Sequence, residues 1–358
     1  MDFNVTLLPG DGVGAEVTDS AVAVLNAIER KFGHNFHMRT MPIGGAALDM
    51  TGVPLPKETR DACAASDAVL LGAVGGSKWS DLKPHMRPEK GVASLKAHMR
   101  LFANMRPIVL DEDFIQHSPI RPELLKKGVN IMLVREDAGG IYATTERGYR
   151  DGALGQEAFD TEVYSISEVE RIAEFAFEIA AARGAKLTSV DKSSALSSGM
   201  LWRATAERVA KNYPSVAFES MQIDECLAAL VKSPSDFQVI LAPSMFGEFI
   251  ASTASAAVGN QGTQPTCTLG AGNIGLYSPV HGPMQDIAGK DEVNPIATVR
   301  AAAMMLSTSL KLVAEAVAIE NAVKKVLAKG LRTKDIATGL KRPISCSRMT
   351  EELVYAII

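Results

Sequence analysis

Short apolar runs, each handed on to a stretch of helical spacing, constrain this chain more than any other feature. Asn4–Leu8 precedes Ala15–Phe32, and His37–Pro42 precedes a helix that opens at Pro56 and reaches Ala65. Ala68–Ala73 is apolar throughout, and Asn130–Glu136 ends in Arg135-Glu136. Lys186–Val190 precedes Ser198–Tyr213, Ala217–Met221 precedes Asp224–Lys232, and Val239–Ala254 runs from strand through loop into helix. A strand with no polar face is covered on both sides, and strand–helix alternation supplies that cover. The pattern predicts an α/β fold with a mostly parallel sheet. Ser167 is read as the cap of a helix to Arg183, with Glu170 completing a capping box. Phe159–Ser165 alternates and reads as an exposed ribbon, while Ala254–Gly275, rich in small residues, reads as irregular. Tyr277–Gly282 and Asp286–Gly289 read as loops, and Leu310–Leu327 and Thr350–Ile358 as helices.

The 358 residues suffice for two domains or one large one, and 47% hydrophobic with 22% charged is ordinary globular composition. A net charge of -4 without a basic tract argues against nucleic acid or an anionic membrane as partner. Cys63, Cys226, Cys267 and Cys346 lie far apart, which excludes a CxxC metal motif or disulfide framework and fits a reducing cytoplasm. No apolar run approaches the roughly 20 residues of a membrane span, and the N-terminus lacks the basic start of a signal peptide.

Pro9–Gly14 is a glycine turn between strand and helix, a place where a phosphate can sit. Its G-D-G-V-G spacing is not the dinucleotide fingerprint, so a tight turn explains it equally well. Further along stand GGAALD, LLGAVGGSKW, RPEKGVASLK, LFANMRP, VREDAGGIY, SVDK, PVHG followed by DIAGK, and NP. In this order the segments resemble the β-decarboxylating dehydrogenases, the isopropylmalate and isocitrate dehydrogenase family, from about Val5 to about Leu306. GAVGGSKW, RPEKG and LFANMRP point to the isopropylmalate branch.

The resemblance implies a two-lobed fold with a discontinuous first domain: 1–101 and 259–358 on the cofactor side, and 102–258 carrying dimerisation and metal positions. It implies NAD-dependent oxidation, with decarboxylation, of a 2-hydroxy dicarboxylate, 3-isopropylmalate or an analogue, by a homodimer. A dianionic substrate needs cations, best as guanidinium forks. Arg106 and Arg135 match carboxylate-binding arginines, and Lys96 stands where a third arginine is usual. Val92, Ala93 and Ala195 match substrate side-chain pocket positions. Tyr142 and Lys192 match the catalytic acid and base, the lysine supplied by the partner subunit and tuned by burial and neighbouring cations. Val13, His281, Gly282, Asp286, Ile287 and Asn294 match the adenosine-binding region, and an acid at Asp286 favours NAD over NADP.

The metal site departs from the family. Of three family aspartates, one from the neighbouring chain, Asp224 matches one, while Glu248 and Ser252 fill the other two positions. They lie four apart on one helix face, so one carboxylate is longer and the other is a hydroxyl. Mg²⁺ wants near-ideal geometry and charged oxygens, so the altered pair predicts weak Mg²⁺ or Mn²⁺ binding, or none. Ser194, Ser244 and Ser278 also depart from the family near the same cleft. Two alternatives follow from the departures: a non-catalytic or regulatory paralogue that binds a dicarboxylate or nucleotide, and a metal-independent dehydrogenase.

Overall fold

The structure is a computed structural model and describes residues 1–144, 146–259, 261–337 and 342–358. It is an α/β protein, as the alternation predicts, and divides into two compact units, Met1–Leu101 with Gln261–Ile358 and Phe102–Asn260.

In the first unit the strand order is Asn35–Thr40, Asp2–Gly10, Ala68–Ala73, Gly275–Pro279, Pro265–Leu269. All neighbours are parallel except the last pair. Val5, Leu7 and Leu8 of the central strand are all buried, which is why that strand shows no alternation. The helix Gly14–Phe32 buries Val17, Ala21, Val24, Leu25 and Ile28, one face at helical spacing.

One carboxylate ties the surrounding loops. Asp11 is buried and accepts the amides of Gly45 (2.9 Å), Ala46 (2.7 Å) and Gly75 (2.8 Å). Two of those amides open the helix Gly44–Thr51, where a negative charge is favourable. Burial pushes the Asp11 carboxyl up, against the pull of the three amides. A Cβ at Gly44 would meet Asp11 Oδ2 at 2.6 Å, and Gly44 has φ +73, so only glycine fits there. The glycine turn itself is packed: Val13 N–H donates to Pro283 O, Gly14 N–H to Asp11 O, and a Cβ at Gly12 would lie 2.0 Å from Pro283 O.

In the second unit the order is Ala103–Val109, Asn130–Glu136, Val239–Ala242, Leu187–Asp191, Phe218–Gln222. All neighbours are parallel except the first pair. Leu133 and Ile240 face one core with Ile250 and Leu230, whereas Val134 and Leu241 face another with Phe177 and Trp202. Both faces are thus covered by helices, which accounts for the uniform apolarity of the central strands.

Several boundaries differ from those read in sequence. S-x-x-E occurs twice in register, at Ser165–Glu168 and Ser167–Glu170. The first is the cap: Ser165 and Glu168 form the reciprocal box, and Glu170 pairs with Arg208 instead. Starting at Ile166 turns Val169, Ile172, Ala173 and Ala176 inward. The exposed ribbon is the hairpin Arg147–Gly152 with Gly155–Asp160, so the predicted Phe159–Ser165 segment overlaps only its end. The stretch read as irregular is not so: its helix continues to Val258, and Pro265–Leu269 pairs with Gly275–Pro279; Asn260 in that stretch lies outside the described residues. Small residues there are core rather than loop, with Ala254, Ala257 and Cys267 buried.

Candidate functional site

Two arginines, two acids and a tyrosine converge in the second unit. Arg106 and Arg135 lie on adjacent strands, two register steps apart along the antiparallel pair, Asn104↔Arg135 and Arg106↔Leu133. Arg135 leaves the end of its strand with its guanidinium divided between two carboxylates: Nη2 donates to Asp137 Oδ1 (2.7 Å) and Nη1 to Glu248 Oε1 (2.7 Å). Its Nε is buried without a partner. Tyr142 Oη donates to the other oxygen, Glu248 Oε2, at 3.0 Å. Burial, together with Glu248, holds the Tyr142 phenol above its ordinary range. Arg106 is pushed down to about 10 by burial and by the like charge of Arg135, and its Nε is buried unpaired. A desolvated cation with an unsatisfied donor attracts an anion.

The surrounding fold fixes these groups. Gly247 lets the Arg135 stem lie along the helix Ser244–Val258, since a Cβ there would sit 2.5 Å from Arg135 Cγ. Gly140 has φ +80 and abuts Tyr164, whose hydroxyl a Cβ would meet at 2.2 Å. The same hydroxyl accepts from the amide of Ser244 (2.8 Å), so Tyr164 joins the turn before Tyr142 to the start of the helix bearing Glu248. Glu136, next to Arg135, is fully buried; it accepts from the Ala138 amide (2.8 Å) and faces Arg171 at 3.4 Å. Burial pushes its carboxyl up to about 7. Asp137, Glu136 and Tyr164 escaped the sequence reading. An acid two residues beyond a strand-end arginine is a usable signal for Asp137; no local pattern marks the other two.

Lys192 and Asp224 form a second pair in this unit, Nζ to Oδ1 at 2.5 Å. Lys192 is expected to be buried among cations; instead its side chain is 30% exposed and its neighbour is a carboxylate 66% exposed. The hydrogen bond from Lys192 holds the Asp224 carboxyl below its usual range. Lys192 follows the strand Leu187–Asp191, and Asp191 accepts from Arg203 (2.8 Å) and from the Ser193 amide (2.8 Å), which fixes the turn. Ala195 is exposed on the same turn, and Ser194 Oγ donates to Gln222 (2.7 Å).

The residues at the metal positions do not fit a divalent cation within this chain. Both Glu248 oxygens are engaged, one of them by a guanidinium. Asp224 is engaged by Lys192, and the exposed Ser252 offers only a neutral hydroxyl. Among the described residues no three of His, Cys, Asp or Glu gather as a metal-holding group.

In the first unit, His281 Nδ1 lies 3.0 Å from Gly282 O, and its Nε2 is buried with no partner. Burial lowers the His281 imidazole below its usual range, so the neutral ring is favoured. Asn294 is buried: its amide nitrogen donates to Asp335 (3.0 Å) and its oxygen accepts from the Ile296 amide, starting a helix. Asp286 and Gly282 are exposed, and Ile287 packs against a small core with Val13 and Val17. Val13 is thus wholly buried under the loop. An orphaned imidazole nitrogen on a loop that also carries an exposed carboxylate has donors and acceptors to offer a nucleotide's ribose hydroxyls. Lys96 and Val92 are half-buried on the helix Pro88–His98, Val92 against that unit's core, and Ala93 is exposed. Asp335 is a further residue that sequence alone did not single out.

An α/β fold thus carries an arginine–tyrosine cluster on one unit and an orphaned loop histidine on another. The family model described as isocitrate/isopropylmalate dehydrogenase matches residues 4–353, and the chain belongs to that family. It is 45% identical over 357 residues to a 3-isopropylmalate dehydrogenase of Geobacillus kaustophilus (strain HTA426), covering 100% of this chain and 96% of that one. It is 43% identical over 356 residues to the enzyme of the same name from Haemophilus influenzae, covering 99% of each. Among solved structures it is similar to isocitrate dehydrogenase from Methylococcus capsulatus (TM-score 0.85, 28% identity, 99% of each chain). It is also similar to a beta-decarboxylating dehydrogenase from Thermococcus kodakarensis (TM-score 0.80, 29% identity, 99% of this chain and 96% of that one). Its relatives make it an oxidoreductase of the decarboxylating dehydrogenase type. No helix among the described residues is long and apolar enough to cross a membrane.

Proposed function

We propose that this chain oxidises a 2-hydroxy dicarboxylate, 3-isopropylmalate or an analogue, with NAD as acceptor, and decarboxylates the product. The observation that carries the reading is the convergence of Arg106, Arg135 and Tyr142 on one face of the second unit. Arg106 and Arg135 hold the substrate carboxylates. Lys192 takes the proton of the hydroxyl group as the carbon is oxidised. The β-carboxylate then leaves as CO₂, its bonding electrons passing into an enol. Tyr142 Oη gives a proton to the enol carbon. NAD would be held by His281, Asp286 and Asn294, with Val13, Gly282 and Ile287, and would supply the hydride acceptor. No step is assigned to a metal.

The reading includes a homodimer in which Lys192 and Asp224 serve the partner's site, as the resemblance implies. The hairpin Arg147–Asp160 supports it: Tyr149, Leu154 and Phe159 are exposed apolar side chains on a two-stranded ribbon, which gains by pairing with a second copy. A second reading, a paralogue that binds without turnover or a dehydrogenase that needs no metal, is favoured by the engagement of Glu248 and by Ser252.

The test is NAD and NADP reduction with a panel of 2-hydroxy acids, with and without Mg²⁺ or Mn²⁺. Reduction of NAD in preference to NADP by 3-isopropylmalate or a close analogue is expected. No reduction with any member of the panel would leave the binding-only reading in its place.

A further inference from the structure

The Arg135 charge is already shared between two internal carboxylates. One terminal nitrogen donates to Asp137, the other to Glu248, and Nε is buried. A dicarboxylate therefore meets an uncompensated Arg135 only after one internal carboxylate leaves. The two differ in how readily they can go. The Asp137 side chain is 10% exposed and only two residues from Arg135. That of Glu248 is 46% exposed, on a neighbouring helix, and long enough to swing into solvent. The same movement releases Tyr142, whose hydroxyl is bound to the second oxygen of Glu248.

We propose that Glu248 is an internal stand-in for the substrate carboxylate, a latch that a dicarboxylate displaces and whose displacement frees Arg135 Nη1 and Tyr142 Oη together. Charge supports the assignment. Arg106 and Arg135 face Asp137 and Glu248, so the cluster is already neutral. An entering carboxylate meets net positive charge only once Glu248 has withdrawn. A latch of this kind lowers apparent affinity by the fraction of molecules in which it is shut. It also selects for ligands carrying a carboxylate, since only an anion replaces what Arg135 loses. The inference rests on the proposed dicarboxylate reading.

The test is calorimetric titration of 3-isopropylmalate into the full-length protein, with EDTA present, for wild type, E248Q and E248D. E248Q keeps the shape and loses the charge. If the latch is shut in most molecules, E248Q binds about tenfold tighter than wild type, with E248D between them. A residue that merely braced Arg135 and Tyr142 would give the opposite sign, weaker binding in E248Q, and that result overturns the latch. Equal affinity in all three proteins overturns it too, while sparing the dicarboxylate reading. Absence of binding in every protein overturns both. Should E248Q fail to fold, the E248D comparison alone decides, by the same sign.

Discussion

Asp11 in the first unit and Glu248 in the second do similar geometric work with opposite permanence. Each is a single carboxylate that gathers groups from separate segments. Asp11 is buried and takes three backbone amides, donors that have nowhere else to turn. Glu248 is nearly half exposed and takes two side chains, a guanidinium and a phenol, each able to bind something else. Backbone donors make a fixed joint, whereas side-chain donors at a wet surface make one that a ligand can open. Chemistry needs the second kind.

That contrast breaks first at Asp11. D11A leaves three amides short of their acceptor, and a loss of about 3 kcal/mol is expected, seen as a lowered midpoint in thermal unfolding. A midpoint unchanged from wild type would show that water replaces the carboxylate and that the joint is not fixed.

Glu136 sharpens the same contrast, because it is buried like Asp11 yet sits beside Arg135. Its carboxyl is raised from 4.5 to about 7, so the folded state holds a proton more tightly than the unfolded chain. The associated stability is complete below about 4.5 and is lost as pH rises through about 7, a span of roughly 3 kcal/mol. E136Q removes the titration. It is expected to gain on wild type in thermal midpoint as pH rises from about 4.5 to about 7, and to gain no further above that. Parallel pH profiles for the two proteins would place the proton elsewhere.

Next comes the metal positions. Restoring both carboxylates, E248D with S252D, shortens the reach toward Arg135 and adds a charge. Mg²⁺ binding by calorimetry is expected to tighten about tenfold relative to wild type. Wild-type binding as tight as that of the double variant would mean that Glu248 leaves Arg135 for a cation without help. Turnover need not follow, because Lys96, Ser194 and Ser278 also differ from the family.

The smallest effect is expected where the latch is purely local. E248A should change the unfolding midpoint by the equivalent of less than about 1 kcal/mol, since Glu248 is nearly half exposed and Asp137 still holds Arg135. A loss comparable to that of D11A would erase the distinction between the two carboxylates.

Much of the fold was legible because several strands are covered on both faces and so carry unbroken apolar runs. Ala68–Ala73 and Val239–Ala242 are wholly buried, as an unbroken apolar run predicts. What misled was ambiguity of small residues. Ala254 and Ala257 read as loop composition but pack a helix, and two overlapping S-x-x-E signals left the start of the next helix to be settled by burial. The resemblance singled out Arg106, Arg135 and Tyr142, and these side chains do converge. The bond of Glu248 to both Arg135 and Tyr142 was not, because it depends on a side chain crossing between segments more than 100 positions apart. Sequence spacing reports neighbours on one element, not across elements. Tyr164 was missed for the same reason, whereas Asp137 stands only two residues beyond Arg135.

The discontinuity of the first unit has a consequence for the order in which the protein is made. Ala68–Ala73 is a wholly apolar strand whose parallel neighbour on one side is Gly275–Pro279. At ribosomal speeds, the roughly 200 intervening residues take on the order of 10–40 s to appear. Through that interval an apolar edge of the first unit stands without its final neighbour, while Phe102–Asn260, continuous in sequence, gains its last strand, Val239–Ala242, before Gly275 is made. During synthesis the unit that begins the chain is therefore the one that finishes last, and the nascent chain is most open to aggregation and to chaperones while its middle is already folded.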